Sequence, residues 1–418
     1  MLAFGGGWSV SQAAAARPRT VAAVTDRLHL ADGTAAVLDS LRRSLAGAGV
    51  TAPLPADPAE REQTLAMLRP EAPVEETDAA AVVATSGSTG RPRGVVLSQS
   101  ALIASAEATH RRLGGPGRWV LALPAHYVAG LMVLVRSLVA DRPVLAVDGR
   151  LDTLAALDLT GGGPHYLSVV PTQLIRALAD PARTAALRRF EAVLLGGSAA
   201  DPALLDRAAV AGIRVVTTYG MSETCGGCVY DGRPLDGVSV DLEFVDAVPG
   251  GPGRVVLSGP VVARGYRGRP RDAAFAVPGS FVTGDLGAWS DDRLQVLGRV
   301  DDVIVTGGLK VAPQQVEAVI VALPGVAAAV VVGLPDEQWG EVVTAVVVPT
   351  DPDFDPEAIR RLSSLAPHQR PRRIELVRAI PERGPGKPDR RAIRDSLMRA
   401  APRPDNDHPR AEWDVPGP

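Results

Sequence analysis

Only two cysteines occur in 418 residues, Cys225 and Cys228, spaced as Cys-Gly-Gly-Cys. Two thiols give no disulfide framework, which suits a reducing compartment. They are also two ligands short of a closed structural zinc site, and no neighbouring Cys or His pair supplies the rest. The surroundings do not read as a thioredoxin-like unit, so two small residues in a Gly-rich loop is the preferred reading. Aromatic residues are scarce, 4% against 46% hydrophobic, so the core must be built mostly from Ala, Val and Leu. No charge of one sign dominates. The formal net charge is -3, and no nucleic-acid partner is expected. Long hydrophobic runs are missing too. The most apolar region, Trp119 to Val147, is broken by Pro124, His126, Arg136, Asp141 and Arg142, so no membrane insertion is expected. Met1 to Thr20 has no basic segment ahead of a continuous apolar one, so no signal peptide is read. The expectation is a soluble, cytoplasmic protein.

The chain is long enough for at least two domains. Residues 1 to about 75 are Ala-rich and helix-prone, with Asp32–Ala46 the clearest amphipathic stretch. From 79 to 260, β-like runs (Ala79–Ala84, Trp119–Leu123, Pro143–Val147, Tyr166–Val169, Ala192–Leu195, Arg214–Thr218) alternate with helical patterns at Ser98–Arg112, Gly130–Ala140, Thr172–Ala179 and Pro202–Ala211. That alternation predicts an α/β fold on largely parallel sheets. Asp236–Leu257 reads as a small antiparallel unit. Beyond Asp302 the pattern is compact: helix near Pro313–Ala322, strands near Ala327–Val332 and Val342–Val348, helix near Pro356–Ser364, strand at Arg373–Leu376, and a last helix from Asp389. The expected fold class is α/β: a large N-terminal α/β domain over 1–300 and a small α+β C-terminal domain over 301–400. A Pro- and charge-rich disordered tail is expected over 401–418.

The most informative stretch is Thr85-Ser86-Gly87-Ser88-Thr89-Gly90-Arg91-Pro92-Arg93-Gly94, fed by the apolar run Ala79–Ala84. Small residues let the backbone approach a ligand, and their N–H and O–H groups can surround phosphate oxygens. The spacing is not that of the Walker loop. Four further segments follow in order. Thr217-Thr218-Tyr219-Gly220-Met221-Ser222-Glu223 offers an aromatic ring, a hydroxyl and a metal-competent carboxylate. Phe281-Val282-Thr283-Gly284-Asp285 puts a carboxylate in what reads as a tight turn, able to accept from ribose hydroxyls. Gly298-Arg299-Val300-Asp301-Asp302 supplies a guanidinium and two acids, and Gly384-Pro385-Gly386-Lys387 presents one lysine from a Gly/Pro loop. Each alone is ordinarily structural: a surface turn, an Asx turn, a solvated charge cluster, a silent lysine.

Together and in this order, over residues 79 to 395, these segments resemble the adenylate-forming superfamily of acyl- and aryl-CoA synthetases, luciferases and peptide-synthetase adenylation domains. The resemblance implies a large domain and a small mobile one with the active site between them. It implies ATP and coenzyme A as co-substrates and Mg²⁺ as cofactor. A carboxylate is adenylated, and CoA then displaces AMP. By position, Thr85, Ser86, Gly87, Ser88, Thr89 and Gly90 would hold the β- and γ-phosphates, with Arg93 where the superfamily usually has Lys. Tyr219 and Gly220 would pack on adenine, Ser222 would contact the α-phosphate, and Glu223 would bind Mg²⁺. Asp285 would take the ribose, with Arg299 nearby. Lys387 would bridge the carboxylate and α-phosphate, and Asp301 resembles the hinge. Gly307, Gly308 and Lys310 would line the thiol entrance after rotation.

For the acid, Leu123-Pro124-Ala125-His126-Tyr127-Val128-Ala129-Gly130 corresponds to the start of the acyl pocket. His126 is the expected polar contact there, and Gly196-Gly197-Ser198 the expected pocket floor. No Asp occurs in 123–130, which argues against amino-acid activation. Shortness of the N-terminal region, Leu-Pro-Ala-His-Tyr-Val-Ala-Gly and Gly-Gly-Leu-Lys-Val together resemble o-succinylbenzoate–CoA ligases of menaquinone biosynthesis. An aromatic carboxylate substrate follows. Another aryl- or medium-chain acyl-CoA synthetase, or an adenylating enzyme loading a carrier protein, stays open at this point. The resemblance is compatible with a homodimer.

Overall fold

The computed structural model describes residues 28–85, 92–161, 163–198, 201–244, 252–351, 353–381 and 388–399. The glycine-rich segment 86–91, Lys387 and the tail over 401–418 lie outside them.

Two sheets carry most of the chain. The first runs in the order Leu28–Asp32, Val50–Leu54, Ala79–Thr85, Arg93–Ser98, Gly265–Tyr266. Its first three strands are parallel, and the last two pair antiparallel. In the second, Leu145–Ala146, Arg118–Leu121, His165–Val169, Ala192–Leu195 and Val215–Met221 are parallel neighbours, extended antiparallel by Gly226–Tyr230 and Arg233–Pro234. The mostly parallel reading is therefore right for this sheet. The strand pair Leu28–Asp32 and Val50–Leu54 has no signal of its own in the sequence. All five residues of Val50–Leu54 are buried, so no period-2 alternation appears, and Pro53 argues against a strand.

Helices Gly33–Leu45, Gln99–Leu113 and Val128–Val139 join the two sheets through one core, which includes Ala80 and Val95 from the first sheet and Trp119, Tyr166 and Leu194 from the second. The central helix, Val128–Val139, is apolar all round and buried from Gly130 to Ser137. Such a helix belongs inside a core, and each of its large apolar side chains contributes about 1.5–3 kcal/mol by leaving water. It buries one charge, Arg136. The far face of the second sheet is covered by Pro171–Leu178, Pro181–Leu187 and Pro202–Val210. The last two begin with Asp-Pro, in which the Asp carboxylate caps free N–H groups and Pro needs none.

A third, antiparallel sheet runs Ser239–Phe244, Gly253–Ser258, Ser280–Ser290, Arg293–Arg299. This is the small antiparallel unit, larger than the sequence suggests. Thr283-Gly284-Asp285 lies inside an eleven-residue strand rather than in a tight turn, because pairing on both edges holds it extended. A fourth sheet follows: Leu309–Val311, Ile304–Thr306, Gly340–Pro349, Val326–Asp336, with Arg373–Leu376 beside Gly340–Pro349. Helices Pro313–Val321 and Arg390–Arg399 complete its two apolar clusters. The helix expected at Pro356–Ser364 shortens to Glu357–Arg360. Arg390 ties this region to its own sheet through Glu317 at 2.5 and 2.8 Å and through the Val331 carbonyl. Among the described residues no helix is long and apolar enough to cross a membrane.

Candidate active site

A cavity of about 580 Å³ opens where the C-terminal ends of the second sheet's parallel strands meet the third sheet. That is where open α/β sheets bind ligands, because the strand ends diverge and their loops supply the walls. Val169 and Val170, Gly196 and Gly197, and Gly220 to Glu223 each follow or end one of those strands. Thr283–Asp285 and Arg299–Asp301 close the other side.

At the Asp285 side the polar groups hold one another. Asp285 and Arg299 are direct partners across two antiparallel strands. Arg299 Nη1 donates to Asp285 Oδ1 at 3.3 Å, and Tyr219 Oη donates to Oδ2 at 2.8 Å. The Arg299 guanidinium rests over Gly284, where a Cβ would lie 2.4 Å from Nη2 and would have to displace it. Burial and the Asp285 charge push the Tyr219 hydroxyl far above its ordinary value, so it stays a donor. Arg299 also reaches Asp301 at 3.8 Å.

At the Glu223 side, Tyr266 Oη donates to Glu223 Oε1 at 2.7 Å, and Arg93 lies 5.2 Å from the centre of the Tyr266 ring. Burial pushes the Glu223 carboxyl above the usual carboxylate range, with the Tyr266 hydrogen bond and the Arg93 charge opposing. A desolvated carboxylate facing a cavity is a place where a cation gains much. Among the described residues no cluster of three acidic, His or Cys groups forms a metal cage. One carboxylate suits Mg²⁺, which keeps waters and shares substrate phosphate oxygens.

Residues 12–267 match the model of the AMP-binding enzyme family, and residues 315–387 match its AMP-binding enzyme C-terminal domain. The chain belongs to the AMP-binding enzyme family. It is 45% identical over 384 residues to a probable 2-succinylbenzoate–CoA ligase of Mycobacterium tuberculosis, covering 88% of this chain and 97% of that one. A 2-succinylbenzoate–CoA ligase of Enterococcus faecalis is 30% identical over 78% of this chain and 72% of its own length. Among solved structures, o-succinylbenzoate CoA synthetase from Bacillus subtilis with its acyl-adenylate superposes with TM-score 0.68 at 27% identity, over 88% of this chain and 83% of that one. ATP-bound MatB from Rhodopseudomonas palustris shares the fold, with TM-score 0.77 at 23% identity over 89% and 88%.

For an AMP-binding enzyme, the sequence motifs converge as expected in several places and diverge in others. Thr85, Arg93, Gly220, Ser222, Glu223, Asp285, Arg299 and Asp301 all line the one cavity. Tyr219 does not. Its ring packs against the cluster around Cys228, Val255 and Leu294, and its hydroxyl donates to Asp285. His126 also leaves the wall. Its ring stacks near Tyr127 (4.2 Å between centroids) and its Nε2 approaches Glu60 at 4.0 Å, while Tyr127 lines the cavity. The turn of the chain into the helix Val128–Val139 decides which neighbour points inward, and sequence position cannot. Gly196 and Gly197 line the cavity, but Ser198 is exposed beyond it. Gly307 and Gly308, at φ 57 and 79, form the two-residue turn of the hairpin Ile304–Thr306/Leu309–Val311, which carries Lys310 outside the cavity wall. Lys387 and 86–90 lie outside the described residues.

Cys225 and Cys228 are fully buried and free. Burial pushes the Cys228 thiol up to about 12 and Cys225 higher still, which removes thiolate chemistry from both. Two site residues escaped sequence reasoning. Tyr266 reaches Glu223 only because Gly265–Tyr266 pairs with Val95–Val96. Arg136 reads as an interruption of an apolar helix, yet it lines the cavity.

Proposed function

We propose that this chain is an ATP-dependent ligase that adenylates o-succinylbenzoate and transfers it to CoA, a cytoplasmic step of menaquinone biosynthesis. The observation that carries the reading is one cavity that gathers Ser222, Glu223, Asp285 and Arg299 in a chain that matches 97% of its M. tuberculosis relative.

A substrate carboxylate oxygen attacks the α-phosphorus of ATP. A P–O bond forms, the α–β bridging bond breaks, and pyrophosphate leaves. The thiol sulfur of CoA then attacks the acyl carbon, the C–O bond to phosphate breaks, AMP leaves, and the thiol proton goes to solvent. The Thr85–Gly90 loop and Arg93 receive the terminal phosphates. Ser222 donates to the α-phosphate. Asp285 holds the ribose: a carboxylate offers about four acceptor directions, and Tyr219 and Arg299 use two, leaving room for two hydroxyls. Glu223 would hold Mg²⁺, which would supply charge that offsets the phosphates. Lys387 brings together two anions that otherwise repel, a stabilisation worth most in a dry site. We read 1–300 and 301–400 as two bodies that rotate about Asp301, exchanging Lys387 for Gly307, Gly308 and Lys310.

The test is pyrophosphate release with ATP, Mg²⁺ and a panel of carboxylates, with and without CoA. Selective, CoA-completed turnover of o-succinylbenzoate supports the reading. Preference for benzoates or fatty acids keeps the mechanism and overturns the substrate. Loading of a carrier protein without CoA overturns the acceptor.

A further inference from the structure

One stretch of the cavity wall is an apolar turn and the helix that follows it: Leu123, Pro124, Tyr127, Val128, Ala129 and Met132. Tyr127 is the pivot of that stretch. It is the last residue before the helix Val128–Val139. Its N–H donates to the Pro124 carbonyl at 3.2 Å, and the Leu131 N–H donates to its carbonyl at 2.9 Å. These bonds fix its backbone and leave its ring to turn about two side-chain torsions.

The ring is held from another layer of the molecule. Tyr127 Oη donates to Glu60 Oε1 at 2.9 Å, across 67 positions of sequence. Glu60 is not part of the cavity wall. It lies in the first turn of the helix Pro58–Leu68, which packs on the first sheet through Leu65, Met67 and Leu68. That turn is itself anchored. The Glu60 N–H donates to Asp57 Oδ1 at 2.8 Å, and Arg61 binds Asp32, the end of a strand of the first sheet, at 2.7 Å. The carboxylate is therefore presented from a fixed base. A hydroxyl that donates to an ionised carboxylate makes a bond roughly twice as strong as a neutral pair. Burial and the Glu60 charge push the Tyr127 hydroxyl far above its ordinary value, so it stays a donor. His126 does not compete for the same oxygen. Its Nε2 stands 4.0 Å away, beyond hydrogen-bond reach, and burial pushes its imidazole below the ordinary value, so it is neutral near pH 7.

We propose that Glu60 is a positioning residue for the acid substrate: through its bond to the Tyr127 hydroxyl it locks the Tyr127 ring in the cavity wall, so that the acid meets a preformed surface. The inference rests on the ligase reading and holds for whichever carboxylate is used. Pinning the far end of a phenol ring removes both its torsions, so the entropy of ordering it is lost on folding and not on binding. Without the bond, each binding event must order the ring as well.

The test uses the full-length enzyme with ATP, Mg²⁺, CoA and the carboxylate of the panel that the wild type turns over fastest. In Glu60→Ala, KM for that acid should rise about 10-fold, the upper scale for ordering one side chain on binding. KM for ATP and kcat should move less than about 3-fold. Tyr127→Phe keeps the ring, removes the donor and should match Glu60→Ala. The double variant should lose about 10-fold rather than about 100-fold, because one bond can be removed only once. Glu60→Gln, whose amide oxygen still accepts from Tyr127, should restore most of the affinity. The Glu60 side chain is 40% exposed, so its variants open no buried hole, and they carry the comparison if Tyr127→Phe does not fold. An unchanged acid KM in Glu60→Ala overturns the proposal. Equal losses for acid and ATP mean a structural role and overturn it too. Losses that multiply in the double variant, or Glu60→Gln as impaired as Glu60→Ala, assign the effect to the Glu60 charge and overturn the link through Tyr127. Wild-type preference for an acid other than o-succinylbenzoate overturns the substrate reading alone. Wild-type enzyme that activates no carboxylate overturns the ligase reading, and this inference falls with it.

Discussion

The two ends of the cavity are built on opposite plans. Near Asp285 and Glu223, each charged group already has a protein partner: Tyr219 and Arg299 for one, Tyr266 for the other. Near Met132 and Arg136 the wall is apolar with one charge that no described acid answers. The first end is pre-organised, so binding a nucleotide needs little rearrangement of polar groups. The second end keeps a charge buried among apolar groups, which costs free energy where no ion pair offsets it.

The largest expected effect belongs to Lys387, which we propose acts on both acid and phosphate. Lys387→Ala should slow adenylate formation by roughly 10²–10³-fold, the scale for losing a transition-state charge donor. Thioester formation from preformed adenylate should be nearly unchanged, and single-turnover measurements of each half-reaction separate the two. Equal losses would remove Lys387 from its assigned position between acid and phosphate.

Glu223→Gln should lower activity by roughly 10²-fold, because the carboxylate proposed to hold Mg²⁺ is gone. Stability should move the other way. The carboxyl is pushed up in the folded protein, so it binds its proton more tightly folded than unfolded. Its ionisation therefore costs stability above the usual carboxylate range, and that cost vanishes as pH falls below it. At pH 7 the variant, which still accepts from Tyr266, should melt at the same temperature or higher. A lower Tm would mean that ionised Glu223 is stabilising.

Asp285→Ala should cut kcat/KM for ATP by roughly 10–100-fold, the scale for hydrogen bonds to a charged group, with KM for the acid unchanged. A matching loss in acid affinity would mean that the two ends are not separable.

A pair of glycines sharpens the same contrast. A Cβ on Gly220 would lie 2.0 Å from the Gly226 carbonyl oxygen, and one on Gly130 would lie 2.2 Å from the Pro124 carbonyl oxygen. Both obstacles are backbone, so each Ala substitution should cost about 1–3 kcal/mol in denaturant unfolding. Gly220→Ala should mainly raise KM for ATP, and Gly130→Ala, which displaces the helix carrying Arg136, mainly KM for the acid. The smallest effect belongs to Arg93→Lys: charge is kept and the guanidinium's fork of contacts with Tyr266 is lost, so activity should stay within about 3-fold.

Much of the nucleotide end was legible in the sequence because its residues lie in short contiguous motifs with local chemistry. Ser222 and Glu223 follow a strand directly, and Asp301 lies in the short turn that follows Arg299. The acid end was less legible. His126 stood out as the polar residue in an apolar segment, but Tyr127 is the neighbour that faces inward. Arg136 looked like a break in a hydrophobic run, since a single sequence carries no sign of whether a buried charge has a partner. Tyr219 was placed in the right neighbourhood, but its bond to Asp285 was not foreseen, because strand pairing brings the two together.

The sequence by itself determined the strand–helix alternation, the order of the nucleotide motifs and the near-absence of reactive thiols, because each depends on local periodicity or on composition. Only the tertiary structure decided that Tyr266 meets Glu223, that Tyr219 serves Asp285, and that Arg136 reaches the cavity. Those outcomes depend on which strands pair and which helix face turns inward, and burial energy summed over the whole core settles that choice rather than any one segment.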